Sequence, residues 1–156
     1  MKRCLLITVM LLASAAAFAQ DRNYPSPDGK YHISYNADRK AYYMHDNRMG
    51  YTYCVTCDVA ADTFSNDIEP AWRSDSRYVY LSGIYDIWQI DITRAVAPVK
   101  ISKRKKNAPV KYYLIMHDSI VTASPYIYMR TENTATGEIG NASFYQKGYR
   151  YQYKSW

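Results

Sequence analysis

A turn-and-strand unit that occurs twice restricts the architecture of this chain more than any other feature. Ser26-Pro27-Asp28-Gly29-Lys30-Tyr31 introduces one run of alternating residues, and Ser74-Asp75-Ser76-Arg77-Tyr78 introduces another, with Asp75 lying 47 residues after Asp28. In each copy, small or kinking residues around an Asp let the carboxylate cap the turn, and a basic residue and a Tyr then enter the strand. A period of this size lies just beyond the roughly 40–45 residues of a four-stranded propeller blade. The second copy runs on through Ile84-Tyr85-Asp86-Ile87-Trp88-Gln89-Ile90-Asp91, an apolar stretch ending in Asp, as the next strand of such a blade would. The repeat speaks to architecture and not to chemistry.

The first 19 residues read as an export signal. Lys2 and Arg3 precede an apolar core from Leu5 to Leu12, and Ala17-Phe18-Ala19 supplies a small-x-small cleavage site. The apolar stretch is shorter than the roughly 20 residues of a membrane span, and no later stretch is a candidate. Cys4 stands too early to be a lipid acceptor, so the expectation is a soluble periplasmic or extracellular protein starting near Gln20. Removing 19 of the 156 residues leaves 137, enough for a single domain, and lowers the formal charge from +6 to +4 as Lys2 and Arg3 depart. All 18 tyrosines lie in the remaining part, against three Phe and three Trp. A broad ring with a hydroxyl that reaches water suits a pleated surface. Period-two alternation recurs, and no sustained helical stripe follows the signal.

Alternation predicts strands at 31–36, 41–46, 51–59, 77–82, 85–92, 110–116, 119–123, 126–131, 142–146 and 149–154, with a longer surface loop at 62–69. The fold class expected is all-β: antiparallel meanders forming about three propeller blades, with a Tyr-rich β-sandwich or barrel as the alternative. A strand over 51–59 sends Cys54 and Cys57 to opposite faces, so free thiols are expected there in spite of export. Lys100, Lys103, Arg104, Lys105 and Lys106 cluster between two strands. Without interleaved aromatics they read as a solvated loop and not as a nucleic-acid site, leaving peptide, protein or polysaccharide as partners.

Taken together, Trp72, the Asp turn, the Asp86-Ile87-Trp88-Gln89-Ile90-Asp91 strand and the linking Ala97-Pro98-Val99-Lys100-Ile101-Ser102 have a family likeness. The chain resembles the β-propeller domain of bacterial prolyl-oligopeptidase-type serine peptidases, the group that includes dipeptidyl peptidases. The resemblance covers roughly residues 24–102. It implies an incomplete propeller without the hydrolase domain, and it transfers no catalytic residue. There is no Gly-x-Ser-x-Gly nucleophile elbow. The first copy carries His32 and Ser34 where the second has Val79 and Leu81, and this reads as degeneracy of the first blade.

His32, His45 and His117 have no spacing that marks a metal site or a triad. Asn141-Ala142-Ser143 matches a glycosylation triplet, and Asp118-Ser119-Ile120 resembles another acceptor. The expectation is a non-catalytic exported protein with no cofactor and no metal. Its ligand-binding residues are unknown at this level, and it acts in peptide or protein recognition; the alternative is a secreted sandwich that binds carbohydrate. Three blades leave open edges and apolar flanks, which predict self-association or low stability.

Overall fold

The computed structural model describes residues 22–60, 63–64, 68–105, 107–147 and 150–155. The proposed signal segment, 1–19, lies outside them. Three sheets form in chain order. Blade 1 is β1 (Asn23–Pro25), β2 (Tyr31–Asn36), β3 (Ala41–Asp46) and β4 (Thr52–Cys54), each antiparallel to the next. Blade 2 is β5 (Ala71–Arg73), β6 (Tyr78–Ser82), β7 (Ile87–Asp91) and β8 (Val99–Lys100). Blade 3 is β9 (Val110–Leu114), β11 (Tyr126–Asn133), β12 (Ile139–Lys147) and β13 (Arg150–Ser155). The two-residue strand β10 (Ile120–Val121) leaves blade 3 and pairs in parallel with the free edge of β5. There the Trp72 and Ser74 amides donate to the Ser119 and Val121 carbonyls, both at 2.9 Å. A tight turn with Asp118 and Ser119 at positive φ brings the chain to this edge.

The repeated Asp turns are equivalent in detail. Lys30 N–H donates to Asp28 Oδ1, and Arg77 N–H donates to Asp75 Oδ1, both at 3.1 Å. The two turns also touch, because Asp28 N–H donates to Ser76 Oγ at 3.0 Å. A second equivalent pair closes the third strand of each blade. Asp46 accepts from the Arg48 and Met49 amides, and Asp91 accepts from the amide and hydroxyl of Thr93. Tyr31 stands opposite Asp46 in register, as Tyr78 stands opposite Asp91.

Burial pushes the Asp28 carboxyl up, but the Lys30 and Ser26 hydrogen bonds outweigh it and bring the pKa down to about 2. The ionised form therefore favours the folded state above the ordinary carboxylate range. That contribution is expected to vanish as the pH falls from about 4 to about 2. Asp75→Ala is expected to cost about 0.5–1.5 kcal/mol, one hydrogen bond's net worth. Asp28→Ala should cost less and flatten the acid limb of a stability-against-pH curve. Urea melts between pH 2 and 7 check both, and an unchanged acid limb in Asp28→Ala would contradict the assignment.

The core is two layers between blades. Ile33, Tyr42 and Met44 of blade 1 meet Trp72, Val79, Leu81 and Ile90 of blade 2. Tyr78, Tyr80 and Ile87 on the other face of blade 2 meet Tyr112, Ile127, Met129 and Phe144 of blade 3. Blade 2 is thus buried on both faces, and blades 1 and 3 on one each.

This corrects two expectations. His32 and Ser34 are not decay of the repeat. They lie on the face of blade 1 that no other blade covers, whereas Val79 and Leu81 occupy the matching places on a face that blade 1 buries completely. On that open face the His32 and His45 rings stack at 4.3 Å, and His45 meets Ser34 Oγ and Thr52 Oγ1. The open face of blade 3 carries Tyr126, Tyr128 and Arg130. The two outer faces differ in character: blade 1 presents His32 and His45, whereas blade 3 leaves Tyr126 and Tyr128 about half exposed. The alternative of a sandwich or barrel is also corrected: the three sheets pack in succession, and among the described residues no barrel closes.

The thiols are a third correction. Cys54 and Cys57 form a disulfide with 5.7 Å between their Cα atoms. Strand β4 ends at Cys54 and does not run to 59. Val55 N–H donates to the Tyr42 carbonyl and Tyr42 N–H donates to the buried Thr56 hydroxyl, both at 2.9 Å, so the chain bends there. The bend removes the alternation that kept the sulfurs apart.

Candidate functional site

A cleft of about 510 Å³ opens between blades 2 and 3. Its walls are Arg73, Arg77 and Tyr78 from blade 2, Gln146 from blade 3, and Ala123, Ser124 and Pro125 from the segment joining β10 to β11. The second Asp turn builds one wall: Arg73 ends β5, Tyr78 begins β6, and Asp75 holds the loop between them. Arg73 Nε donates to Asp75 Oδ1 at 2.8 Å, and its Nη2 donates to Oδ2 of the same carboxylate. The Arg73 guanidinium carbon lies 4.3 Å from the centre of the Tyr78 ring, and that of Arg77 lies 5.3 Å away. Gln146 Nε2 donates to Tyr78 Oη at 3.0 Å and fixes the ring from the other blade.

The charges in this cleft are locked. Burial would lower the Arg73 pKa, but the Asp75 hydrogen bond outweighs it and raises it. Asp75 is pushed up by burial and brought down further by Arg73. Tyr78 and then Asp91 raise Arg77, whose Nη2 is 3.4 Å from Asp91 Oδ2. Of the two permanent cations beside the ring, Arg73 is committed to Asp75, and half-exposed Arg77, with one nitrogen near Asp91, has planar N–H donors left that suit a carboxylate. They do not suit proton transfer, which needs a group that titrates near working pH.

The sequence singled out no ligand-binding residue, and the structure sets its histidines apart from this cleft. His32 and His45 stack on the open face of blade 1, and His117 is exposed in the β10 turn beside Asp118. Among the described residues, no group of three His, Cys, Asp or Glu side chains is placed to hold a metal. The basic loop is solvated in part: Lys103 and Lys105 are exposed, Lys100 is 3.5 Å from Asp86, and Arg104 lies over Tyr85. Lys106 falls outside the described residues. One signal in the sequence pointed to the cleft. The residue two before the turn Asp is Ser26 in the first copy and Arg73 in the second, and each holds its Asp, by a hydroxyl or by a guanidinium.

The three-blade arrangement superposes on the WD40 domain of SCAP from fission yeast with a TM-score of 0.50 and 14% sequence identity. This chain is a propeller-type fold. The likeness covers 86% of this chain and 32% of that one, so the chain spans about a third of that propeller's length. At this identity the match concerns fold alone. No protein-family model and no curated protein sequence matches the chain.

Among the described residues, no helix of the propeller-type chain is long and apolar enough to cross a membrane.

Proposed function

We propose that this chain is an exported, non-catalytic recognition module that holds a carboxylate-bearing peptide or protein segment in the cleft between blades 2 and 3. The observation that carries the proposal is the pair of arginines fixed over Tyr78. Arg and Tyr are the residue types that dominate binding energy in protein interfaces. Arg77 is about half exposed and meets Asp91 through Nη2 alone, and its guanidinium carries further N–H donors to offer. The propeller-type fold supports an interaction role, and the locked charges argue against acid–base chemistry in the cleft. Export rests on residues 1–19, and kinship with peptidase propellers rests on the residues matched over 24–102. N-terminal sequencing of protein recovered from the producing cell's envelope and medium tests the first, with Gln20 expected as the mature start.

The binding proposal is tested by titrating the protein with short peptides that end in a free carboxylate or in an amide. The free acid is expected to bind at least tenfold more tightly. Arg77→Ala should remove about 1.5–3 kcal/mol of that binding, the range for hydrogen bonds to charged groups, without moving the melt. Equal affinity for acid and amide, or an Arg77→Ala variant that binds as the parent does, would overturn it.

A further inference from the structure

We infer that the Cys54–Cys57 disulfide is a reversible thiol–disulfide exchange site for a dithiol partner, entered at Cys57, and not a tie that holds the fold. The two cysteines stand three positions apart. The chain entropy that a cross-link removes grows with the loop it closes, so a loop this short stabilises the fold little. The bend that brings the sulfurs together is secured without them. Val55 and Thr56, between the cysteines, are buried. Val55 N–H donates to the Tyr42 carbonyl, and Tyr42 N–H donates to Thr56 Oγ1. Just past the bend, Val59 N–H donates to the Thr56 carbonyl at 3.0 Å. With the S–S bond opened, these contacts keep the two sulfurs within reach of each other. The dithiol form is therefore set to close again.

Access selects the sulfur that is attacked. Cys57 is exposed, whereas Cys54 is half-buried and lines a cleft of about 280 Å³ between blades 1 and 2 with Val55, Ile90, Val96 and Pro98. Tyr53 spans the two blades beside it: its hydroxyl donates to the Ile92 carbonyl at 3.0 Å, and its ring lies 5.0 Å from the Arg94 guanidinium carbon. Cys54 shares the cleft with one cation, Arg94, and two carboxylates, Asp58 and Asp91, so charge does not override access. Exposed disulfides are the labile ones, because exchange needs a thiolate to approach a sulfur. In the first step a partner thiolate bonds to Cys57 Sγ, the Cys54–Cys57 bond breaks, and its electron pair leaves on Cys54 Sγ, which takes a proton from water. In the second, the partner's other thiol gives its proton to water and attacks its own sulfur in the mixed disulfide. The electron pair now leaves on Cys57 Sγ, where the Tyr43 hydroxyl, 3.8 Å away, stands to donate. Two electrons have moved: the partner ends as a disulfide and this chain as two thiols.

Dithiothreitol, a neutral dithiol, serves as the partner in the test, with alkylation and mass spectrometry counting the thiols released from the folded chain. Reduction is expected at a rate that rises in proportion to dithiothreitol and does not respond to urea below the unfolding transition. The reduced chain should keep its far-ultraviolet dichroism, with its melt lowered by less than about 10 °C, and should regain the disulfide when oxidised dithiothreitol replaces the reductant. Two variants locate the entry sulfur. Cys57 in Cys54→Ser should react with dithiodipyridine at least tenfold faster than Cys54 in Cys57→Ser. The kinetics of the parent chain need no variant, so the test stands even where a serine chain does not fold. Three outcomes would overturn the inference: a reduction rate that levels off at the rate of global unfolding, a reduced chain that loses its fold, or a Cys54 thiol that reacts as fast as Cys57.

Discussion

Trp72→Ala is expected to destabilise the protein by about 3–5 kcal/mol, the range for truncating a buried large aromatic. Trp72 is 2% exposed and packs in the layer between blades 1 and 2. Its indole N–H donates to the Tyr24 carbonyl of β1 at 3.1 Å, so the truncation also removes a buried hydrogen bond between blades 2 and 1. The same residue stands opposite Ile120 in the β5–β10 pair. One side chain therefore joins blade 1 to blade 2 beside the edge that the blade 3 excursion seals. With total stabilities of about 5–15 kcal/mol for a domain, the loss is a large fraction of what holds the fold together. Equilibrium urea unfolding followed by tyrosine fluorescence and far-ultraviolet dichroism measures it. A loss below about 1.5 kcal/mol would mean that blades 1 and 2 do not depend on this layer.

The second large effect tests the assignment of faces. Leu81 is fully buried against blade 1, and Ser34 holds the matching place on the open face of blade 1. Leu81→Ser is expected to cost about 4 kcal/mol, from lost packing and a hydroxyl left without partners in an apolar layer. The reverse exchange at the matching place, Ser34→Leu, gives up one hydrogen bond to His45 at a half-exposed site and should cost no more than about 1 kcal/mol. Similar penalties at the two sites would mean that blade 1 is covered on both faces in solution.

These faces show how far the sequence could be read. The Asp turns were legible because a carboxylate bonding the amide two residues on is local chemistry, and it recurred with a Tyr at the same offset. The long strands β2, β3 and β6 were legible from alternation. Strands β5 and β8 are three and two residues long, too short for alternation to register. Strand β10 was read as longer than it is, and its partner is set by a parallel pairing nearly 50 residues away that no local pattern encodes. The disulfide was misread because alternation was carried past Cys54, where the bond between Tyr42 and Thr56 turns the chain. The meaning of His32 and Ser34 needed the neighbour on each face, which is a property of blade order and not of the strand itself. The cleft was illegible for a related reason: its walls come from 73–78, 123–125 and 146, three segments that share no spacing rule. Only the exchange of Ser26 for Arg73 between copies hinted at it.

The central claim is that the described residues form a three-blade stack that stays single in solution, with its β5 edge sealed by β10. Size-exclusion chromatography coupled to light scattering, run on the 20–156 chain across a hundredfold range of concentration, tests it most directly. The account predicts the mass of one chain at every concentration. A mass of two chains or more that grows with concentration would contradict it and return the end faces to the role of unfilled blade contacts.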